Sequence, residues 1–543
     1  MVLSLLYWLL ITLVAISFTG NHPVWALAAG GLGGLAVGVR SWWLLRRPVR
    51  ARVDHDAPCC QPECGSLPGR PHVGWRGGFE RYEFLLLLPG VLVLIFANRL
   101  PWVMLWCALA WLLGLLCMRR WITGRFAPRT PFDEPLILLV VLTSTLGLWA
   151  SADRSLTASG VLHLAAGVVL FYALLNALDT PHRLQAAVWI FLATGALAAC
   201  GAVFAVRFRT SLPLISSALA YLPRWPARVN PNYVGGALTL FLPLAFWDVV
   251  RLRGWRRLVC VSILSVLGMV LWLTGSRGAL LGVAAALAVT AAWTCRWIRL
   301  GLVALALVAG VWVYGAGADV LLDPVGGASV ERTWAGRLEL WQRAVYISQD
   351  FAFTGIGLGM FPVVVDLLYP LFLIGPSAQM PHAHNLYLQV AAVAGFPGWV
   401  ALFMLLGAWG AICWELLCRT APGAVSQAWR PVVLGLFGGG LAFLIYSVTD
   451  AIVPWEKAAL AFWALLGITV GLWRHVGYRS GPGAVAGGQP TVPDGSSAGD
   501  PSDPCVRTDA TPDAPAGSVA AARDPAAATP GRPEHGGGAP PGE

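Results

Sequence analysis

The sequence predicts an all-α polytopic membrane protein with about 12–14 transmembrane helices. The 543-residue chain is 57% hydrophobic and only 12% charged, with a mean hydropathy of +0.67, whereas soluble domains carry about 25% charged residues. Apolar runs close to the roughly 20 residues that cross a bilayer recur from the first residue to about residue 473. Many of the 27 Trp lie near the ends of these runs, where the membrane meets water. Barrel strands are shorter and alternate in polarity, so helices are predicted instead.

Hydropathy predicts fourteen apolar spans, at residues 2–18, 23–39, 84–98, 101–118, 135–150, 158–178, 184–206, 233–250, 258–274, 279–295, 300–317, 397–418, 430–449 and 458–473. Clusters of Arg follow the even-numbered spans. Positively charged loops stay in the cytoplasm, so we predict a multi-pass membrane protein with cytoplasmic termini. No basic residue precedes the first span, so no cleaved signal peptide is expected. The net charge is +10, and the Arg residues that produce it lie in short loops between spans. This distribution sets the orientation of the protein in the membrane, so no nucleic-acid partner is expected.

The spans define a transmembrane domain over residues 1–474 and leave three other segments. Residues 318–396 form a large extracytoplasmic loop with helical apolar spacing. Residues 50–83 form a cytoplasmic insert with three Cys, but the adjacent Cys59 and Cys60 do not fit a CxxC zinc hook, and reduced thiols are favoured. Residues 475–543 are predicted to be a disordered cytoplasmic tail, because they offer too little apolar surface to offset chain entropy.

Two histidines stand before an apolar run, in the stretch MPHAHNLYLQVAAVAGFPG at residues 380–398. We predict a short helix over 384–394 with His384 at its N-terminus, ended by Gly395. The positive end of a helix disfavours the imidazolium form, and a neutral imidazole can act as a general base. The alternative is a capping or interfacial His. His382 is a second imidazole that we assign to substrate binding.

Two arginines on the predicted outer side are candidates for binding phosphate. Arg277 lies in a short turn between two spans, and Arg337 lies in the large loop four residues before Trp341, on the same helical face. A guanidinium offers a fork of donors that matches phosphate oxygens. The alternatives are snorkelling to lipid phosphate for Arg277 and an ion pair with Glu339 or Asp350 for Arg337.

Further polar residues stand at the same predicted side. Arg228 and Asn232 flank Asn230 and Pro231, which suit the N-cap and first turn of a helix. Asp450 closes a span, where it orients an Arg or the His, or is an ordinary interface charge. Moving a charged side chain into a membrane costs free energy, so charged residues in membrane proteins are usually functional. The combination suits a ligand with phosphate at headgroup level and a sugar hydroxyl that is deprotonated.

The motifs together resemble the O-antigen ligase and O-antigen polymerase superfamily of bacterial inner-membrane enzymes. The resemblance covers roughly 220–470 and rests on NPNYVGGALTLFLPLA (230–245), TGSRGALLG (274–282), RLELWQRAVYISQDFAFTGIGLGMFP (337–362), HAHNLYLQVAAVAGFPG (382–398) and YSVTDAIVPWEKAALAFWALLG (446–467). The resemblance implies a metal-independent, inverting glycosyltransferase with a GT-C-like fold and no cofactor. It implies a glycan donor on undecaprenyl diphosphate and a hydroxyl acceptor on lipid A-core, another glycan or a protein.

The resemblance also implies roles for single residues. It places the catalytic set on Arg277, Arg337 and His384. We assign five further residues as candidates for substrate binding, namely Arg228, Asn232, His382, Trp341 and Asp450. Ligase and polymerase are not separated by these motifs. A membrane transporter of inorganic carbon or of lipid-linked glycan is the alternative class, although transporters usually place polar groups at the bilayer midplane. An accessory assembly protein is a third alternative.

Overall fold

The protein was analysed as a computed structural model that describes residues 2–17, 23–46, 75–95, 102–206, 208, 229–316, 328–375, 380–424, 426–453 and 459–479. The helices are α1 Val2–Ser17, α2 Pro23–Arg46, α3 Trp75–Ile95, α4 Trp102–Thr123, α5 Asp133–Ala150, α6 Arg154–Ala177, α7 Pro181–Ala205, α8 Pro231–Leu238, α9 Leu242–Arg251, α10 Gly254–Thr274, α11 Arg277–Ala292, α12 Arg296–Ala316, α13 Ala328–Asp350, α14 Phe361–Leu368, α15 Leu386–Arg419, α16 Arg430–Thr449 and α17 Ala459–Arg479. A single π-helical turn interrupts α5 at Thr143–Gly147. Arg228, the Cys-rich stretch 50–74 and the tail from residue 480 lie outside the described residues.

The all-α membrane architecture that the sequence predicts is confirmed. Nine helices in the described part of the chain are long and apolar enough to cross a bilayer, and three shorter apolar helices accompany them. Each of the fourteen predicted spans overlaps a described helix. The described residues are helical or lie in turns and irregular segments, and none of them forms a strand.

Two helix boundaries differ from the hydropathy pattern. Helix α3 begins at Trp75, inside the segment predicted as a loop, and its polar first half includes Glu83, which is buried and forms an ion pair with Arg119 of α4. Hydropathy does not register such a pair, since it scores both residues as polar. Helix α17 continues to Arg479, five residues into the predicted tail.

Two stretches of helix are broken, and the first of them is a predicted span. The span at 233–250 divides into α8 and α9, which are joined by a tight turn whose N–H groups at Thr239, Leu240 and Phe241 donate to carbonyls three residues earlier. Helix α15 kinks at Gly395, where φ is +65°, a value that favours glycine. The freed backbone at this kink bonds the loop after α13: Phe396 N–H donates to Ala352 O and Gly357 N–H donates to Val393 O.

The core of the bundle is formed by closely packed helices with small residues at their contacts. Helices α2 and α15 pack so tightly that a Cβ at Gly38 would lie 2.0 Å from the carbonyl oxygen of Met404. Helices α11 and α16 also pack closely, and a Cβ at Gly282 would lie 2.6 Å from the carbonyl oxygen of Ala442. Such contacts between small residues hold membrane helices together by close packing. They fix the ends of α11, α15 and α16, which carry the candidate site.

Candidate functional site

The predicted polar residues gather at one end of the bundle. His384 precedes the N-terminus of α15, and Asp450 follows the C-terminus of α16. Arg419 and Arg430 mark the opposite ends of these two helices. The candidate site therefore lies at the end of the bundle away from these basic residues.

Asp450 is the buried anion of the site. Its backbone leaves the helix with φ −155° and ψ 175°, and its side chain retains 5% exposure. One carboxylate oxygen accepts hydrogen bonds from the N–H of Ala451 at 2.9 Å and from Nδ1 of His384 at 2.9 Å. Burial acts to raise its pKa, but the hydrogen bond and charge of His384, the charge of His382 and the Ala451 N–H together hold the pKa below its usual value. The side chain is therefore a carboxylate at neutral pH.

The backbone of His384 is held in an unusual conformation. Its φ of +49° is the only positive value of a non-glycine residue in the described ranges. Such conformations cost free energy and persist only where neighbouring contacts fix them. Asn385 supplies these contacts, since its side-chain oxygen accepts from Leu388 N–H at 3.0 Å and its side-chain nitrogen donates to Val448 O at 2.9 Å. The N-cap is Asn385, so the prediction that His384 begins the helix is wrong by two residues.

The hydrogen bonds assign the tautomer of His384. Nδ1 faces a carboxylate at 2.9 Å and must carry a proton to donate to it. When the ring is neutral, Nε2 therefore holds the free lone pair. The side chain keeps 17% exposure, so part of the ring reaches the exterior. An imidazole with this tautomer can accept a proton from a substrate at Nε2.

His382 completes a compact pair of imidazoles. Its Nδ1 accepts a hydrogen bond from the backbone N–H of His384 at 3.2 Å, and the two ring centroids lie 4.6 Å apart in an edge-to-face arrangement. Burial, followed by the positive charges of His384 and Arg337, lowers the pKa of His382 to about 4, although Asp450 acts in the opposite direction. His382 is thus neutral at neutral pH with its proton on Nε2. It supports the backbone of His384, a contact that the sequence did not indicate.

Helix α13 places Arg337 and Trp341 beside the histidines. Nε1 of Trp341 donates to the carbonyl oxygen of His384 at 3.4 Å. Arg337 lies one turn earlier on the same face and is near enough to lower the pKa of His382. Trp334, which the sequence analysis did not single out, contacts Trp341 edge to face at 5.5 Å.

The carboxylates expected to neutralise Arg337 are engaged elsewhere. Glu339 accepts the backbone N–H groups of Leu373 at 3.0 Å and Ile374 at 3.2 Å and pairs with Arg343 at 3.7 Å. Asp350 accepts a hydrogen bond from the hydroxyl of Tyr369. Within the described ranges no ion pair forms at Arg337. Its positive charge is therefore available to an anionic ligand.

Arg277 is the first residue of α11 and lies at the same end of the bundle. Gly275 turns the chain with φ +63°, and Gly278 contacts Thr449, which immediately precedes Asp450. A Cβ at Gly278 would lie 2.2 Å from Oγ1 of Thr449. Arg277 is exposed and, over the residues that the structure describes, has no carboxylate partner. The contact between Gly278 and Thr449 thus places the start of α11, with Arg277, against the end of α16 that leads into Asp450.

Asn232 lies in the first turn of α8, close to the same helix end. As predicted, Asn230 caps this helix through its side-chain oxygen, which accepts from Asn232 N–H at 2.9 Å, and Pro231 occupies the first turn. The carbonyl oxygen of Asn232 accepts a hydrogen bond from the Tyr446 hydroxyl at 2.9 Å. Tyr446 lies one helical turn before Asp450, so α8 is joined to the rim of the site.

The cluster also has the donor atoms of a metal site, which the sequence analysis did not predict. His382, His384 and Asp450 each offer one ligand atom, and these atoms lie within 4.8 Å of one another. His384 and Asp450 lie 66 residues apart in sequence, so spacing alone gives no sign of the group.

Comparison with known proteins identifies the segment that carries most of this site. No curated protein matches the chain. Residues 260–403 match a protein-family model described as O-Antigen ligase. The matched segment contains Arg277, Arg337 and His384, whereas Asp450 lies beyond it and rests on the geometry alone. On this match, residues 260–403 are similar to the O-antigen ligase family.

Proposed function

We propose that the protein transfers or polymerises a glycan from undecaprenyl diphosphate onto an acceptor hydroxyl at the outer face of the cytoplasmic membrane. The family assignment supports ligase- or polymerase-type activity in general. The observation that carries the finer proposal is the 2.9 Å contact between His384 Nδ1 and the Asp450 carboxylate. Arg277 and Arg337 lie at the same end of the bundle and have no carboxylate partner among the described residues. This set of groups suits a reaction in which a hydroxyl loses a proton and a diphosphate departs.

His384 acts as the general base in this proposal. The acceptor oxygen forms a bond to the anomeric carbon as the bond from that carbon to the diphosphate oxygen breaks. The hydroxyl proton passes to Nε2 of His384, which becomes an imidazolium. Asp450 holds the ring in the required tautomer and stabilises this cation, so it is a positioning residue. Attack from the side opposite the leaving group inverts the anomeric centre.

Arg277 and Arg337 stabilise the charge that develops on the departing diphosphate. Both guanidiniums stand at the site without an ion-pair partner in the described ranges, so no existing pair is broken when the ligand binds. Fixed positive charge at a leaving group lowers the barrier because no reorganisation is needed during the reaction. The proposal is metal-independent, since the two arginines do the work that a divalent ion does in other phosphate-releasing enzymes.

The remaining predicted residues form the rim that receives substrate. Trp341 offers an aromatic face next to His384, and Asn232 lies in the partly buried first turn of α8. His382 positions His384 through the backbone hydrogen bond at 3.2 Å. We assign Arg228 to donor binding on sequence grounds only. The acceptor is lipid A-core, a second lipid-linked glycan or a protein, and the experiment below separates the lipid-linked glycan from the other two.

A glycan profile of the producing cell tests the proposed function. A deletion strain is complemented with wild type, His384→Ala or, as a matched control, His182→Ala, which removes an exposed His of α7. Envelope polysaccharide and its undecaprenyl-linked precursor are separated on gels. Long chains retained on the lipid carrier would indicate a ligase with a lipid A-core or protein acceptor. Single repeat units would indicate a polymerase.

The pattern of complementation decides the role of the site. We expect wild type and His182→Ala to restore the parental profile and His384→Ala to leave the deletion profile unchanged. A deletion strain with normal glycans would refute the proposed function. Transport of lipid-linked glycan would then become the better hypothesis, and flux into vesicles without added acceptor would support it.

A further inference from the structure

A second chemistry is built into the same residues. His382, His384 and Asp450 bring three candidate ligand atoms together. One carboxylate oxygen of Asp450 lies 2.9 Å from His384 Nδ1 and 4.0 Å from His382 Nδ1. Each residue offers one ligand atom, and these three atoms lie within 4.8 Å of one another. Two imidazoles and a carboxylate are typical ligands of borderline divalent ions such as Zn²⁺.

The distances suit a tetrahedral ion. Bonds of about 2.0–2.2 Å from Zn²⁺ to nitrogen and oxygen place neighbouring ligand atoms about 3.3 Å apart. The observed separations lie on both sides of this value, so small side-chain rotations are enough to meet it. Three protein ligands leave a fourth position for water. His384 retains 17% side-chain exposure, which gives an ion a route to the cluster from the exterior.

We propose that His382, His384 and Asp450 form an inhibitory site for Zn²⁺ or a similar transition-metal ion. Coordination through Nδ1 of His384 requires that nitrogen to give up its proton. The neutral ring then carries its proton on Nε2 instead, with no net change in protons. Nε2 loses the lone pair that accepts the substrate proton, and Asp450 is diverted to the ion. Metal binding and base catalysis are therefore mutually exclusive.

The surrounding charges make this inhibition reversible. Arg337 acts on His382 electrostatically, and its positive charge opposes a cation in the cluster. The hydrogen bond from the His384 N–H to His382 Nδ1 must also break. Both effects weaken binding relative to a structural zinc site, in which all ligands are committed to the metal. We therefore expect an ion that added chelator removes readily.

Direct metal binding tests this inference. The full chain, purified in detergent without a histidine tag, is titrated with Zn²⁺ in equilibrium dialysis and with Co²⁺ by visible absorption. We expect one ion per chain in wild type and in His182→Ala. His382→Gln and Asp450→Asn should each lower the affinity at least about tenfold, since even outer contacts of metal sites matter by 10–100-fold. Arg337→Ala should raise it. A magnesium titration serves as a control, because Mg²⁺ prefers six oxygen ligands.

Inhibition of glycan transfer provides the second readout, and this part rests on the proposed function. Zn²⁺ should inhibit wild type over the same concentration range in which it binds, and chelator should restore activity. Wild type that binds Zn²⁺ no more tightly than His382→Gln would overturn the inference. Inhibition that persists unchanged in His382→Gln, relative to that variant's own activity, would also overturn it. If wild type binds Zn²⁺ but transfers no glycan, the proposed function fails while the metal site stands.

Discussion

At the scale of single residues, the proposed proton transfer depends on the orientation of the His384 imidazole. His384 has a positive φ, a backbone N–H held by His382 and an Nδ1 held by Asp450. These three constraints leave Nε2 as the free nitrogen. A capping or purely interfacial His needs none of them, because Asn385 already caps α15. The geometry thus favours the general-base role over the alternative that the sequence left open.

Asp450→Asn should impair catalysis while preserving the fold. The amide has the same shape, but its NH₂ group can donate to Nδ1 and favour the wrong tautomer of His384. We expect kcat to fall by about 10³-fold or more, by analogy with the effect of the same change in catalytic triads, with little change in KM. Initial rates with purified donor and acceptor measure this. Asp366→Asn, at an exposed carboxylate of α14, is the control. Equal rates for both variants would exclude the positioning role.

Arg277→Ala and Arg337→Ala should each lower kcat by about 10²–10³-fold, because each removes a charge that stabilises the leaving group. Lysine at either position should restore only part of the rate, since it lacks the planar fork. Arg296→Ala, which removes a basic residue beyond the far end of α11, is the matched control. Full activity of Arg277→Ala would be incompatible with the proposed mechanism.

At the scale of elements, the site depends on how helix ends meet. Helix α11 reaches the site because Gly278 lies against Thr449 at the end of α16. Helix α13 reaches the site through Trp341. Its Glu339 also binds the backbone of the loop that follows α14. Two predictions follow from these two contacts.

Gly278→Ala should move Arg277 away from Asp450, because the new Cβ would lie 2.2 Å from Thr449 Oγ1. Thr449→Ala removes that atom and leaves the Thr449 Cβ position at 3.4 Å, which is ordinary contact. We therefore expect the single Gly278→Ala variant to lose most activity and the double variant to regain it. Thr449→Ala alone should be nearly silent. A double variant no better than Gly278→Ala would show that this contact does not place the guanidinium.

Glu339→Ala should loosen the loop that follows α14. It removes the carboxylate that accepts the part-buried hydrogen bonds from the N–H groups of Leu373 and Ile374. We expect a lower Tm and faster proteolysis within residues 371–375. Gln342→Ala, at an exposed position of the same helix, should change neither. Unchanged proteolysis in Glu339→Ala would mean that other contacts hold the loop.

At the scale of the whole molecule, hydropathy predicted where the membrane helices lie but not where each of them begins and ends. Length and composition predicted the spans because each must supply its own apolar surface to lipid. The polar first half of α3 contains the buried Glu83, which pairs with Arg119, and the division between α8 and α9 lies at a local turn. Neither is a property of average hydropathy.

The site was only partly accessible from sequence for a related reason. The motifs indicated Arg277, Arg337 and His384, and charge placement indicated Asp450. The choice of partner for Asp450 stayed open, because the His384 contact joins residues 66 positions apart and requires α15 and α16 to meet end to end. The role of His382 as a support for the backbone of His384 depends on a conformation with φ of +49°, which no spacing rule encodes.

The proposed mechanism requires His384 to remove the hydroxyl proton from the acceptor. Its most direct test is the transfer rate of purified His384→Ala with undecaprenyl-diphosphate-linked donor, in the presence of chelator and with or without added imidazole. We predict a loss of about 10²–10⁴-fold, the usual contribution of a general base, with donor binding retained and partial rescue by imidazole. A His384→Ala enzyme that works within a few-fold of wild type, or a wild type that chelator silences, would contradict the account.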